Sequence, residues 1–250
     1  MSAKTAIILG ALSGIAEATA RVHAVRGDGL VLVARHAERL EELKADLLAR
    51  GASRCETVVL DLAAEQAPDL RLGEMIALAG GKLDVAYVFY GVLGDQRADE
   101  RNLGVARSRL QVNFLSAAGW CLAAANVIEA QDSGVLIAIS SVAGDRGRQS
   151  NYIYGAAKAG LTTLVEGIAH RLAKGNGRAL AIRLGFVDTP MTAHIEKKGA
   201  LWVKPATIAH KLVALADQPR GVKPYLPWIW RPIMSIIRFV PSAIFHRTKL

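Results

Sequence analysis

Apolar and polar positions follow two alternating rhythms along the chain. Short apolar runs fall at 5–9, 30–34, 57–60, 85–90, 135–140 and 179–184. Between them lie stretches with apolar residues three and four apart, at 14–26, 37–50, 69–79, 105–130, 151–173 and 205–216, the last with a proline at its start. Runs of four to six apolar residues suit strands buried on both faces, and the longer stretches suit amphipathic helices. Strand and helix repeated at this interval predict a parallel sheet with right-handed crossovers. The segment 222–226 is a candidate for a closing strand. No internal repeat, low-complexity tract or linker breaks the pattern, so the expectation is one doubly wound α/β domain over 1–227, with a distinct tail at 228–250.

Length and composition agree. A chain of 250 residues, 52% of them apolar, can bury one sizeable core and does not resemble a disordered chain. Cys55 and Cys121 have no metal-ligand spacing and make no disulfide framework, which fits reduced thiols in a cytoplasmic protein. The first ten residues lack a signal-peptide core and read better as the first strand.

Candidate chemistry starts at the first strand-to-helix junction, Gly10-Ala-Leu12-Ser13-Gly14-Ile15-Ala16. Small residues there allow a tight turn and close approach of a pyrophosphate, which a helix N-terminus then receives. This makes the expected sheet one of Rossmann type. The second feature is Tyr154-Gly-Ala-Ala-Lys158, whose spacing of four puts phenol and ammonium on one helix face. A phenol titrates near pH 10 in water, and a neighbouring ammonium favours the phenolate and makes it a usable acid/base. Ser141 ends the fifth strand, at the edge where open α/β sheets bind ligands, and its hydroxyl can hydrogen-bond a substrate oxygen. Tyr152 is excluded as the acid because its i+4 residue is Ala156.

These motifs resemble the short-chain dehydrogenase/reductase family. The Gly10–Ala16 loop is similar to that family's T-G-x-x-x-G-I-G, with Leu9 for Thr and Ala16 for the third Gly. The spacing Asn113–Ser141–Tyr154–Lys158 is similar to its catalytic tetrad. The resemblance implies that Tyr154 exchanges the proton, Ser141 polarises the substrate oxygen, and Lys158 holds the nicotinamide ribose and lowers the Tyr154 pKa. It also implies that Asn113 kinks its helix and holds a water that relays protons to Lys158. Asp61-Leu62 resembles the pair that meets the adenine. Gly185-Phe-Val187-Asp-Thr189 resembles the P-G-x-x-x-T segment around the nicotinamide, with Leu184 for Pro. The family's N-N-A-G stands here as Val88-Phe-Tyr-Gly91, so Gly91 remains while both asparagines are lost.

An acid after the second strand would favour NAD(H) by holding a ribose hydroxyl. Ala34-Arg35-His36 offers none, and Arg35 can pair with a 2′-phosphate. NADP(H) is therefore favoured over NAD(H), which stays open.

The net charge of +9 is uneven: from Pro205 onward seven Lys/Arg face one acid, Asp217. After Trp228 the basic residues mix with Trp, Ile and Phe, and no uncharged stretch approaches the ~20 residues of a membrane span. This suits a segment lying on an anionic membrane surface, or a helix packed over the substrate cleft or a partner subunit. It does not suit nucleic acid, which asks for a phosphate-tracking stripe. Four segments resemble the decaprenylphosphoryl-2-keto-ribose reductase subfamily: Tyr90-Gly-Val-Leu-Gly-Asp95, Ser140-Ser-Val-Ala-Gly-Asp-Arg146, Met191-Thr-Ala-His194 and Val240-Pro-Ser-Ala-Ile-Phe245. That resemblance implies a lipid-linked 2-keto sugar as substrate, a flavin oxidase partner, NADH as cofactor and a role in cell-envelope glycan synthesis. A 3-oxoacyl-thioester or other lipid-ketone reductase fits the same tetrad, and the lost N-N-A-G leaves room for a non-catalytic nicotinamide-binding scaffold. Family analogy implies a homodimer or homotetramer.

Overall fold

Seven parallel strands form one sheet in the order β3-β2-β1-β4-β5-β6-β7. In this computed structural model the described residues are 3–193, 195, 199–218 and 221–248. Met1, Ser2, His194, Arg220, Lys249 and Leu250, all used in the sequence reading, lie outside them. The strands are β1 Thr5–Leu9, β2 Gly29–Ala34, β3 Arg54–Val59, β4 Val85–Val88, β5 Val135–Ser141, β6 Arg178–Leu184 and β7 Tyr225–Leu226. The helices between them are α1 Gly14–Val25, α2 Ala37–Ala49, α3 Pro68–Leu78, α4 Gln96–Asp99, α5 Leu103–Leu110, α6 Ser116–Ala130, α7 Tyr152–Leu172 and α8 Pro205–Asp217.

The period-two geometry of a strand splits the apolar runs between two cores. Ala6 and Ile8 of β1 pack with Leu30, Leu32 and residues of α1, α2 and α8. Ile7 and Leu9 pack on the other face with Val31, Val33 and residues of α3, α6 and α7. Every residue of β2 is buried, which is why the central strands read as unbroken apolar runs. The strand order reverses between β1 and β4, and a crevice opens there at the strands' C-terminal ends.

Departures from the expected boundaries have local causes. β3 starts at Arg54 rather than 57, pairing Arg54 with Gly29 of β2. It is an edge strand with one solvated face, so its polar start carries no apolar signal. β7 is two residues long rather than five, although Ala181 N–H already bonds Val222 O at 2.8 Å. Pro224 has no N–H to extend the ladder. The stretch expected as one helix over 105–130 begins at Leu103 and is widened into a π turn at Gln111–Leu115. α4 was not expected, having no room for apolar periodicity. Its available signal was Asp95, whose carboxylate accepts from Arg97 N–H at 2.9 Å and Ala98 N–H at 3.2 Å.

The tail folds back as α9 Trp230–Phe239 and α10 Ser242–Phe245. Trp230 and Met234 are buried with Val142 and Tyr225. Arg146 donates to the carbonyls of Ile237, Arg238 and Val240, closing the C-terminal end of α9, and lies over the Phe245 ring at 3.8 Å. The tail therefore belongs to the domain, and only one of its faces is left outward. Cys55 and Cys121 are free and buried. Burial raises both thiols to a pKa of about 12, which keeps them protonated and unreactive.

Candidate active site

Gly10 leaves β1 with φ +85°, and a methyl group there would meet Tyr90 at 2.8 Å. Only glycine turns at this point without strain. Ser13 then caps α1 by accepting from Ala16 N–H at 3.4 Å. The N–H groups of the first helical turn have no partner within the helix, and Gly14 and Ile15 line the cavity in front of it. Ala16, in place of the third glycine, is fully buried, so a methyl group is accommodated there.

That cavity, of about 390 Å³, brings together most of the expected residues. Leu12, Ser13, Gly14 and Ile15 form one wall, Gly185, Val187 and Thr189 another, and Gly91, Ser141, Tyr154 and Lys158 the floor and far side. Gly10, Arg35, Asp61, Leu62 and Asn113 are not in its lining. Arg35 lies exposed beyond β2 with its guanidinium 3.8 Å from Asp61. Leu62 is buried, and its carbonyl accepts from Trp120 Nε1 at 3.0 Å.

Asn113 acts from behind the cavity. It sits in the π turn, donates to Arg109 O at 3.0 Å and Val92 O at 2.8 Å, and accepts from Val92 N–H at 2.9 Å. Its side chain thus occupies a carbonyl of the widened turn and clamps the loop after β4. A methyl group on Gly91 would sit 2.7 Å from Asn113 Oδ1 and 3.5 Å from Lys158 Nζ, which explains why Gly91 survives when the rest of N-N-A-G does not. At the positions of the missing asparagines Val88 is buried and Phe89 stacks on Tyr87, and Tyr90, at the alanine position, pairs its hydroxyl with Ser116 Oγ at 2.9 Å.

Lys158 is buried and donates from Nζ to Ile139 O at 2.9 Å, with Nζ 5.8 Å from the Tyr154 ring centre. Burial holds its pKa down at about 8. The expectation of an acidified phenol is corrected here. Burial pushes Tyr154 up to about 12, and the facing Ser141 hydroxyl pulls it back only in part. Desolvation of the phenolate sets the direction, and the ammonium head turns to a carbonyl. Ser141 Oγ accepts from Ala143 N–H at 3.1 Å, which fixes it at the end of β5.

The sequence reading missed an aromatic wall. Phe186 stacks on Trp202 at 5.1 Å and meets Trp230 edge-on at 4.8 Å. The Trp230 indole occupies the space a side chain at position 185 would need, so α9 helps build the site. It also missed Arg148 and Asn151, which line the cavity. Their position between Ser141 and Tyr154 was the available signal, because a short connection between two site residues must overlook the site.

A family model for the short chain dehydrogenases matches residues 4–200. The chain belongs to that family. Similar proteins include an uncharacterised oxidoreductase of Streptomyces coelicolor, from the mprA 5′ region, 31% identical over 98% of this chain and 95% of that one. An uncharacterised oxidoreductase of Mycobacterium tuberculosis is 32% identical over 96% and 95%. Among solved structures, an alcohol dehydrogenase from the archaeon Thermococcus sibiricus complexed with 5-hydroxy-NADP superposes with a TM-score of 0.79 at 24% identity, over 90% and 96% of the two chains. A short-chain type dehydrogenase/reductase from Mycobacterium marinum gives 0.79 at 21%, over 89% and 92%. This short-chain dehydrogenase is thus an NAD(P)-dependent oxidoreductase. Its positive-φ glycine, free helix N-terminus and the cavity before them fit a nicotinamide dinucleotide.

Proposed function

We propose that this short-chain dehydrogenase is a ketoreductase whose chemistry is carried by Ser141, Tyr154 and Lys158. The observation behind this is their convergence, with Gly91, in one cavity in front of the α1 N-terminus. A bound nicotinamide supplies the hydride that goes to the carbonyl carbon. Ser141 donates a hydrogen bond to the carbonyl oxygen and holds it beside the phenol. Tyr154 gives that oxygen its proton, and its high pKa makes it a donor at neutral pH. Lys158 holds ribose hydroxyls and returns a proton towards Tyr154, and Asn113 keeps the loop at Gly91 in place.

NADP(H) is the favoured cofactor because the segment after β2, Ala34-Arg35-His36, carries no acid. The Asp61 carboxylate works against a 2′-phosphate, so Arg35 carries the preference. Arg35→Ala is expected to raise the KM for NADPH about tenfold and leave that for NADH nearly unchanged in initial-rate assays. Equal effects on both cofactors would reject the assignment.

The substrate proposed is a 2-keto sugar on a polyprenyl phosphate, supplied by a flavin oxidase partner for cell-envelope glycan synthesis. Three observations support it: the segments resembling the decaprenylphosphoryl-2-keto-ribose reductases, the apolar walls at Leu12, Val142, Phe186 and Trp202, and the outward face of the tail. There Trp228, Ile236, Phe239 and Ile244 are exposed among Arg231, Arg238 and Arg247, as on a cytoplasmic protein resting on an anionic membrane. Reduction of such a keto sugar but not of a 3-oxoacyl thioester is the expected result with purified protein. The reverse preference would favour the lipid-ketone alternative. Wild-type protein is further expected to co-sediment with anionic vesicles, and Trp228→Ser with Phe239→Ser to weaken this about tenfold or more. Identical sedimentation of both proteins would remove the membrane reading.

A further inference from the structure

We infer that Arg148 is the receptor for an anionic group carried by the substrate close to its reacting carbonyl, while Asn151 on the same connection offers its amide oxygen to a donor on that substrate. Both residues lie on the connection between β5 and α7, with Ser141 at one end and Tyr154 just past the other. Both line the cavity that holds those two hydroxyls. Arg148 Nε and Asn151 Oδ1 are buried without a hydrogen-bond partner. Among the described residues Arg148 takes part in no ion pair.

The contrast with neighbouring arginines is informative. Arg146 is filled by tail carbonyls. Arg183 pairs with Asp145 at 3.2 Å and lies over the Tyr225 ring. Asp145 is the nearby carboxylate that could have answered Arg148, and it is already committed, with its other oxygen accepting from Tyr225 hydroxyl at 2.7 Å. Burial lowers the pKa of Arg148, and Asp145 offsets this only in part, through its field alone. A half-buried guanidinium with an unanswered donor is costly in a mostly apolar cavity. It is retained where a ligand completes it. The planar fork of Arg takes a carboxylate or a phosphate in two parallel hydrogen bonds.

The cofactor's own phosphates are expected on the Gly10–Ile15 loop at the N-terminus of α1, not on the connection that carries Arg148. Arg148 instead also borders a second cavity, walled by Gln149, Tyr152 and Phe245. The anion therefore sits between the carbonyl and whatever group extends towards the C-terminal helices.

This assignment rests on the ketoreductase reading, and the test separates the two. Cofactor-loaded protein would be assayed with matched ketones: a 2-oxo carboxylate against its methyl ester, and a phosphorylated hydroxyketone against its unphosphorylated form. Wild-type protein is expected to prefer the anionic member of at least one pair by about ten- to a hundredfold in kcat/KM, chiefly through KM. The favoured pair tells carboxylate from phosphate. Arg148→Gln should collapse that ratio, and Arg148→Lys should restore part of it. Equal handling of both members by wild type, or equal losses on both in Arg148→Gln, would overturn the receptor. If no ketone is reduced, titration calorimetry with the phosphorylated hydroxyketone decides. Binding lost in Arg148→Gln would leave the receptor standing without the reductase, and absence of binding would end both.

Discussion

Replacing Tyr154 with Phe is expected to lower kcat by about 10²–10⁴-fold, with cofactor affinity retained. The phenol lines the same cavity as Ser141, and phenylalanine keeps its ring packing. The change therefore removes one proton donor and little else. Stopped-flow reduction of a ketone under single-turnover conditions would show it, with cofactor binding followed by nicotinamide fluorescence. A variant that turns over within tenfold of wild type would mean that another group delivers the proton. Because burial raises the Tyr154 pKa to about 12, the wild-type phenol stays protonated through neutral pH. Carbonyl reduction should thus show no loss from this group up to about pH 11, whereas the alcohol-oxidation direction, which needs a proton acceptor, should gain with pH.

Lys158→Met is expected to abolish turnover and, at pH 7, to stabilise the fold. Lys158 is buried, and its pKa falls from 10.5 to about 8 in the folded protein. The sign follows from proton counting. Between pH 8 and 10.5 the unfolded chain binds the proton that the folded chain has released, so wild-type stability rises with pH across that window. Below pH 8 both states are charged and the whole cost of burying the ammonium is present, up to about 3 kcal/mol at 1.36 kcal/mol per pKa unit. Methionine removes that cost but leaves Ile139 O unbonded, a loss of about 1–3 kcal/mol. The net expectation is a gain of about 1 kcal/mol at pH 7 that turns into a deficit of about 2 kcal/mol by pH 10.5, where wild type no longer carries the cost of a buried charge. Thermal unfolding of both proteins at several pH values would test it. A variant less stable than wild type at pH 7, by the same margin at every pH, would show that the ammonium is not a burden to the fold.

The layered fold was legible because β1, β2, β4, β5 and β6 are buried on both faces and so carry unbroken apolar runs. What escaped was written in polar atoms or in long-range contact. The start of β3 is solvated on one side. α4 is held by a single carboxylate cap. The π turn exists because a side chain, Asn113, replaces a helix's own backbone bond, an exchange that leaves no periodic trace. The tetrad residues were legible from spacing alone, since a helix turn and a strand end fix them relative to each other. The environment that sets their acidity was not. Whether a phenol is pulled down by an ammonium or pushed up by a dry cavity depends on which carbonyl the ammonium finds, and Ile139 O lies nineteen positions away in the chain. The tail was read as a lipid-facing segment or a helix packed over the substrate cleft or a partner subunit; one of its faces is held inward by Arg146 and by the seat that Gly185 offers Trp230.

Trp230 on Gly185 and Arg146 on the end of α9 have a practical corollary. Trp230 backs the cavity wall at Gly185 and Phe186, so α9 is part of what encloses the reaction chamber. Shortening the chain at Pro227 would remove Trp230 from behind Gly185 and Phe186, so a truncated protein that no longer found a lipid surface would also have lost part of its site wall, and single exchanges on the outer face are the way to separate anchoring from chemistry.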